Sequence, residues 1–389
     1  MYLDRRRDGG GCRLSYVGRL ESLFTKSNII TGLLLLMPVP WLRGGREPVA
    51  AVVLFGFIAV IFFLIWRLPI KLRFNWSLAH TSGLSLVAWS AISLTWSVNR
   101  YQSVSWLVML VLAMGVYLSV YMAFQQPAVR EKWLNGFVWM ATGVSLVGLI
   151  IFLVEDYERL TSLFYWANPM AAFALPAIIA SIRQVLARFS WPRATAAAIV
   201  LTAFWLTDSR TAVLTLALFG FIGLAIYRLR KPYWINLVLI MTTSLVLALA
   251  LGWIKGHLQG QATAVVPGTR FEEALKGESQ SGSDRLNYLK SSWQMWRENP
   301  IIGSGAGTFA TVYPQYQQSV VSAVSDPHNF YIKTLVELGL VGLSLLLLFI
   351  IGLLVAAVRA WWRGGIPAAV GLGLGAIFVH IALDIDLSF

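Results

Sequence analysis

Cysteine is nearly absent. Cys12 stands alone in 389 residues, which excludes an internal disulfide and a cysteine-ligated zinc site. Charge is scarce too. Asp, Glu, Lys and Arg make up 13% of the chain, where a soluble domain carries about 25%. A deficit spread over the whole length excludes a soluble core with a single anchor. Acidic residues are the scarcest, 18 against 31 Lys and Arg, which leaves a net charge of +13. A surplus of that sign is compatible with nucleic acid. Here the cations sit between apolar runs, no basic patch forms, and no nucleic-acid partner is expected.

What fills the chain is hydrocarbon. Apolar runs able to cross about 30 Å of bilayer recur throughout. They fall near residues 27–42, 49–66, 78–94, 104–124, 134–154, 165–182, 194–208, 211–227, 235–254, 330–358 and 366–382. The expected fold is an all-α polytopic integral membrane protein of about eleven to twelve transmembrane helices. Basic residues set its orientation. With the N-terminus cytoplasmic, the tail and alternate loops hold nineteen Lys/Arg, and the short loops opposite hold five. That imbalance puts the N-terminus in the cytoplasm. Met1 to Lys26 has no small-residue cleavage site after it and reads as a cytoplasmic tail. Expected boundaries are 1–26 for the tail, 27–254 for membrane helices, 255–327 for one long periplasmic loop and 328–389 for the C-terminal membrane helices.

The long loop has internal order. Gln259 to Ser283 is rich in Gly, Ser, Gln and Thr. Ser283 is an expected N-cap. Leu286, Leu289, Trp293 and Trp296 then repeat at three- and four-residue steps. That spacing makes an amphipathic helix lying on the bundle or at the lipid interface, ended by Asn299-Pro300. Gly303-Ser304-Gly305-Ala306-Gly307 has no Lys-Ser/Thr after it, so it reads as a close-packed turn and not a phosphate cradle. Asp326 is the expected cap of the next helix, with Pro327 at its first position.

Candidate chemistry gathers along this segment. Arg210 stands between two adjacent spans. It is either an arginine snorkelling to the interface or a bidentate grip on phosphate, with Ser209 and Thr211 adding hydroxyls at a helix start that favours anions. Arg285 falls in the expected first turn of the loop helix. It is either a solvated residue or part of an anion site that offsets the helix dipole. Lys290 and Arg297 read as solvated. His328 is expected in the first turn of the next helix, as a polar residue near a cap or as a general base that takes a hydroxyl proton. Asn329 beside it would orient a sugar or the imidazole. His380 and Asp384 share a helix face near the end of the last span, as a structural pair or as a functional one. Asp384 and Asp386 make only a weak metal motif, and no metal or cofactor is expected.

In order along the chain come Asn168-Pro169-x-Ala171, Ser209-Arg210-Thr211-Ala212 and Asp284-Arg285 followed by Trp293 and Trp296. Then come Asn299-Pro300-Ile301-Ile302-Gly303-x-Gly305, Pro327-His328-Asn329 and Glu337-Leu338-Gly339. Together these blocks resemble the O-antigen ligase and polymerase superfamily of bacterial envelope glycosyltransferases. The resemblance spans roughly residues 165 to 345 and implies a GT-C-like membrane enzyme with a periplasmic loop roofing its site. It implies a glycan donor on undecaprenyl pyrophosphate, held by Arg210 and Arg285, and an acceptor hydroxyl activated by His328. Guanidiniums and helix N-termini stabilise a departing pyrophosphate without a metal, and direct displacement inverts the anomeric carbon. The first expectation is a ligase that uses lipid A–core oligosaccharide as acceptor. A polymerase on the same carrier and a protein O-oligosaccharyltransferase share these motifs. A transporter with Arg210 and Arg285 as anion sites is the reading from another class. It lacks the internal repeats such folds show.

Overall fold

The computed structural model describes residues 31–32, 53, 56–60, 76–164, 166–227, 231–259, 280–317, 326–361 and 366–382. Among these the regular structure is helical. In chain order the helices are α1 Leu78–Ile92, α2 Arg100–Ala123, α3 Pro127–Val154, α4 Ala167–Ala187, α5 Trp191–Leu206, α6 Arg210–Tyr227 and α7 Lys231–Leu258. They continue with α8 Gln280–Glu298, the four-residue α9 Phe309–Val312, α10 Phe330–Trp361 and α11 Ile366–His380. Five are long and apolar enough to cross a membrane: α2, α3, α4, residues Trp234–Leu258 of α7 and residues Phe330–Arg359 of α10. Apolar stretches of α6 and α11 are shorter. The protein is an all-α, multi-pass membrane protein. The apolar runs expected from residue 78 onward all coincide with helices. The basic tail and the runs near 27–42 and 49–66 lie almost wholly outside the described residues, as do Asp384 and Asp386.

Small residues determine how the bundle packs. Ala171, Ala174 and Ala177 of α4 meet Ala194, Ala197 and Ala198 of α5 in one buried cluster. With no hydrophobic drive between helices in lipid, such residues let backbones approach and gain dispersion contact. α5 is the buried centre, touching α3, α4 and α7. A second group joins α1, α2 and α10. α11 packs on α4 and α6 from the first group and on α10 from the second, so it bridges the two.

α10 is broken at Gly339, where φ is +68. A break in a spanning helix strands backbone groups that hydrocarbon cannot satisfy. The segment after α8 takes them up. Ser304 N donates to Val336 O at 3.1 Å and Gly305 N to Glu337 O at 2.8 Å, while Trp89 Nε1 donates to Leu338 O at 3.0 Å. In return Leu340 N donates to Pro300 O at 2.9 Å and Val341 N to Ile301 O at 3.4 Å. The buried Glu337 carboxylate accepts Gly307 N at 2.9 Å and Phe309 N at 3.0 Å. The 303–307 run is therefore a close-packed turn, as its sequence implied. A Cβ on Gly339 would lie 2.1 Å from Ile301 O, and one on Gly303 would lie 2.4 Å from Glu337 O.

α8 packs Tyr288 and Met295 against Phe309, Tyr313 and Val336. Ser291 Oγ donates to Tyr316 O at 2.8 Å. Glu298 sits against the Tyr316 hydroxyl and pushes it above its usual value. Two expected helix starts are corrected. α8 begins no later than Gln280, so Ser283 lies inside it and is not its N-cap. Docking on α10 stabilises the extra turn beyond what local capping predicts. α10 begins at Phe330, and Asn329 is its cap: Asn329 Oδ1 accepts Ile332 N at 3.0 Å and Asn329 O accepts Lys333 N at 3.0 Å. Asp326 is occupied elsewhere, as described below.

Gly339→Ala is expected to destabilise the protein by about 2–4 kcal/mol, from left-handed strain plus the clash with Ile301. Gly143→Ala in α3, where an added Cβ meets nothing within 4 Å, is expected to be neutral or mildly stabilising. Thermal unfolding in detergent checks both; equal midpoints for Gly339→Ala and the wild type would remove the constraint.

Candidate active site

The ends of α3, α4, α5, α6, α7, α10 and α11 meet at the end of the bundle that carries the long loop. α5 and α6 are joined by a turn in which Asp208 is left-handed, with φ +44. Ser209 is buried, its carbonyl accepts the first helical bond from Val213 N at 3.0 Å, and α6 starts at Arg210. Arg210 is half-buried. Ser209 Oγ and Thr211 Oγ1 are 3.3 Å apart.

The turn is also braced from outside. Arg159, from the loop between α3 and α4, donates from Nε to Thr207 O at 2.7 Å and from Nη2 to Asp208 O at 3.4 Å. The same Nη2 donates to Asn168 Oδ1 at 2.6 Å. The Arg159 loop is braced in its own right. Lys255, buried in the last turn of α7, donates to the carbonyls of Glu155 and Tyr157 and lies 4.2 Å over the Phe152 ring. A buried ammonium is tolerated when its protons meet oxygens. Local pattern gives Arg159 no role beyond a loop charge, and gives Lys255 none. The one usable signal for Arg159 is the polar Asn168 in an apolar run nine residues on, with which the guanidinium pairs.

His328 is corrected in position. It lies two residues before α10 and not in its first turn, with φ +55. Its backbone N donates to Asp326 Oδ1 at 3.1 Å, and Asp326 Oδ2 pairs with Lys333 Nζ at 2.8 Å. Both members of that ion pair are buried, which is why Asp326 closes a turn and does not cap a helix. The His328 ring stacks on Tyr288 of α8, centroids 5.7 Å apart and planes 20° apart. Arg285 precedes Tyr288 by three residues, at least one turn inside α8 and not in its first turn; its side chain lies outside the described residues.

The last turn of α11 joins these parts. His380, fully buried, brings Nε2 to 3.4 Å from Thr211 Oγ1. One residue on, Ile381 O accepts Phe330 N at 3.2 Å, and Ala382 O accepts Asn329 Nδ2 at 2.6 Å. Ser209, Arg210 and Thr211 on one side and His328 and Asn329 on the other are thus tied to the same turn. Asn329 is committed to capping α10 and to this tie. The pattern suggested His380 only as half of a pair with Asp384, and its contact with Thr211 was not foreseen.

Residues 195–347 match the family model described as O-antigen ligase. Over this stretch, about two fifths of the chain, the sequence is similar to that family. The stretch runs from α5 into α10 and includes Ser209 to Thr211, Arg285, His328 and the Glu337–Gly339 break. It leaves out Arg159, Asn168 and α11, which complete the site in space. No curated protein matches the chain.

Arg159→Met is expected to raise amide exchange over residues 207–211 by about tenfold, because the brace contributes to the opening free energy of that turn. Protection in α10 should be unchanged. Exchange mass spectrometry on the full chain reads this, and unaltered 207–211 peptides would mean the turn stands without the brace.

Proposed function

We propose that the protein transfers O-antigen polysaccharide from undecaprenyl pyrophosphate to a sugar hydroxyl of lipid A–core oligosaccharide. The reaction takes place on the periplasmic face of the bacterial inner membrane, with the N-terminus in the cytoplasm. The observation that carries this reading is the shared tie to the last turn of α11. It gathers an arginine at a helix start and a histidine before another helix at one end of a membrane bundle.

Arg210 and Arg285 grip the pyrophosphate, with Ser209 and Thr211 adding hydroxyls. His328, held by Tyr288 and the Asp326 turn, takes the proton from the acceptor hydroxyl. That oxygen attacks the anomeric carbon, the bond to the pyrophosphate oxygen breaks, and the configuration inverts. Charge developing on the leaving group is met by fixed guanidiniums and helix N–H groups. The polyprenyl tail occupies lipid between spans. Asn329, spent on its cap, orients the His328 turn more than it contacts sugar. The family reading also supports a polymerase that lengthens glycan on the same carrier.

The test uses purified protein, a glycan-loaded undecaprenyl pyrophosphate donor and lipid A–core acceptor in EDTA. Glycan on lipid A–core is the expected product. Lengthening on the carrier alone would make the protein a polymerase, and transfer to a Ser/Thr protein acceptor alone would make it a protein glycosylator. His328→Ala, Arg210→Ala and Arg285→Ala are each expected to lower transfer by about a hundredfold or more, with insertion intact. Near-normal turnover of one variant would remove that residue from the mechanism.

A further inference from the structure

α8 has two apolar faces, and only one is packed. Tyr288 and Met295 are buried on the bundle. On another side Leu286 is 59% exposed, Trp293 is 55% exposed and Leu289 is also exposed. Trp296 flanks this stripe, its ring 4.6 Å from that of Trp293 and its Nε1 donating to Pro300 O at 3.0 Å. At 3.6 residues per turn, Lys290 and Arg297 border the stripe on its other edge, and both are exposed. Gln294 and Glu298, exposed as well, follow beyond them.

The stripe does not end with α8. Ile301 is 62% exposed, and its carbonyl is bound to Val341 N in α10. Leu340, beside it, is exposed and begins the run of outward Leu347, Leu348 and Ile351 on the spanning part of α10. The outward side of α10 thus begins beside the end of α8, with Ser344 and Asn299 the exposed polar residues among its apolar ones. Apolar stripe, tryptophans and flanking cations are the features of a helix lying in the headgroup region of a bilayer.

We propose that the exposed face of α8 is immersed in the adjoining leaflet, with Lys290 and Arg297 on the phosphates of anionic phospholipid. On the ligase reading given above, this sets Arg285, whose register position borders Leu289, at the depth where a polyprenyl pyrophosphate presents its phosphates. The helix then serves as a depth gauge for the donor.

Cys12 is the only cysteine, so Cys12→Ser gives a clean background for spin labels at Leu289→Cys, Trp293→Cys and Gln294→Cys. The full chain is reconstituted in nanodiscs of phosphatidylethanolamine with phosphatidylglycerol, and power saturation compares oxygen with a water-soluble nickel chelate. At 289 and 293 oxygen access should exceed nickel access by about threefold or more, and at 294 the order should reverse. Lys290→Glu with Arg297→Glu should make both labels shallower in anionic discs, and not in discs of phosphatidylcholine alone. Nickel access at 289 and 293 equal to that at 294 would overturn the immersion. Spin–spin broadening lost on dilution with unlabelled protein would give the face to a second copy instead. Depth indifferent to lipid charge would overturn the anionic contact. The readout needs neither donor nor acceptor, so its failure and a failure of the transfer assay are separable.

Discussion

Backbone polar groups cannot stand open in hydrocarbon, and the break at Gly339 opens several of them. Three carbonyls of α10 and two N–H groups beyond the break lose helical partners. Residues 300–305 and Trp89 supply replacements on both sides of it. That exchange sews the extramembrane segment into the bundle. The same segment carries α9, whose Phe309 and neighbouring Tyr313 receive α8. α8 in turn sets Tyr288 against His328. A single interrupted helix thus supports the segment that packs on His328.

The scarce internal charges do similar work. Arg159 and Lys255 spend their donors on carbonyls between helices. Lys333 compensates Asp326 and lies 4.8 Å over Trp106. Such cations are costly to bury unless every strong donor finds oxygen, which makes them precise locators. Two of them act on the two halves of the site, Arg159 on the Arg210 turn and Lys333 on the His328 turn. α11 ties the two turns together, through His380, Ile381 and Ala382.

The spanning helices were legible because hydropathy over twenty residues is a local sum that the bilayer enforces. Helix starts were less so. Ser283 had the chemistry of a cap, yet packing of Tyr288 and Met295 extends α8 past it. Asp326-Pro327 resembled a helix start, yet a lysine seven residues on, invisible to local pattern, claims the carboxylate. Arg210 and His328 could be picked out as candidates from residue type and position. Arg159 and Lys255 could not be given roles, and His380 only a pairing with Asp384, since the partners they meet across the fold lie 48, 100 and 169 residues away.

Composition and periodicity alone determined the solvent of this protein, its helical class, the order of its motifs and the amphipathic character of α8. These follow from what a bilayer excludes and from the 3.6-residue repeat. Only the tertiary structure decided which face of α8 is packed and which is left outward. It alone decided that Asn329 caps α10, that the glycine run repairs a broken helix, and that α11 draws the arginine and histidine motifs to one turn. Those outcomes depend on backbone groups finding partners across long stretches of chain, a condition that no local window of residues contains.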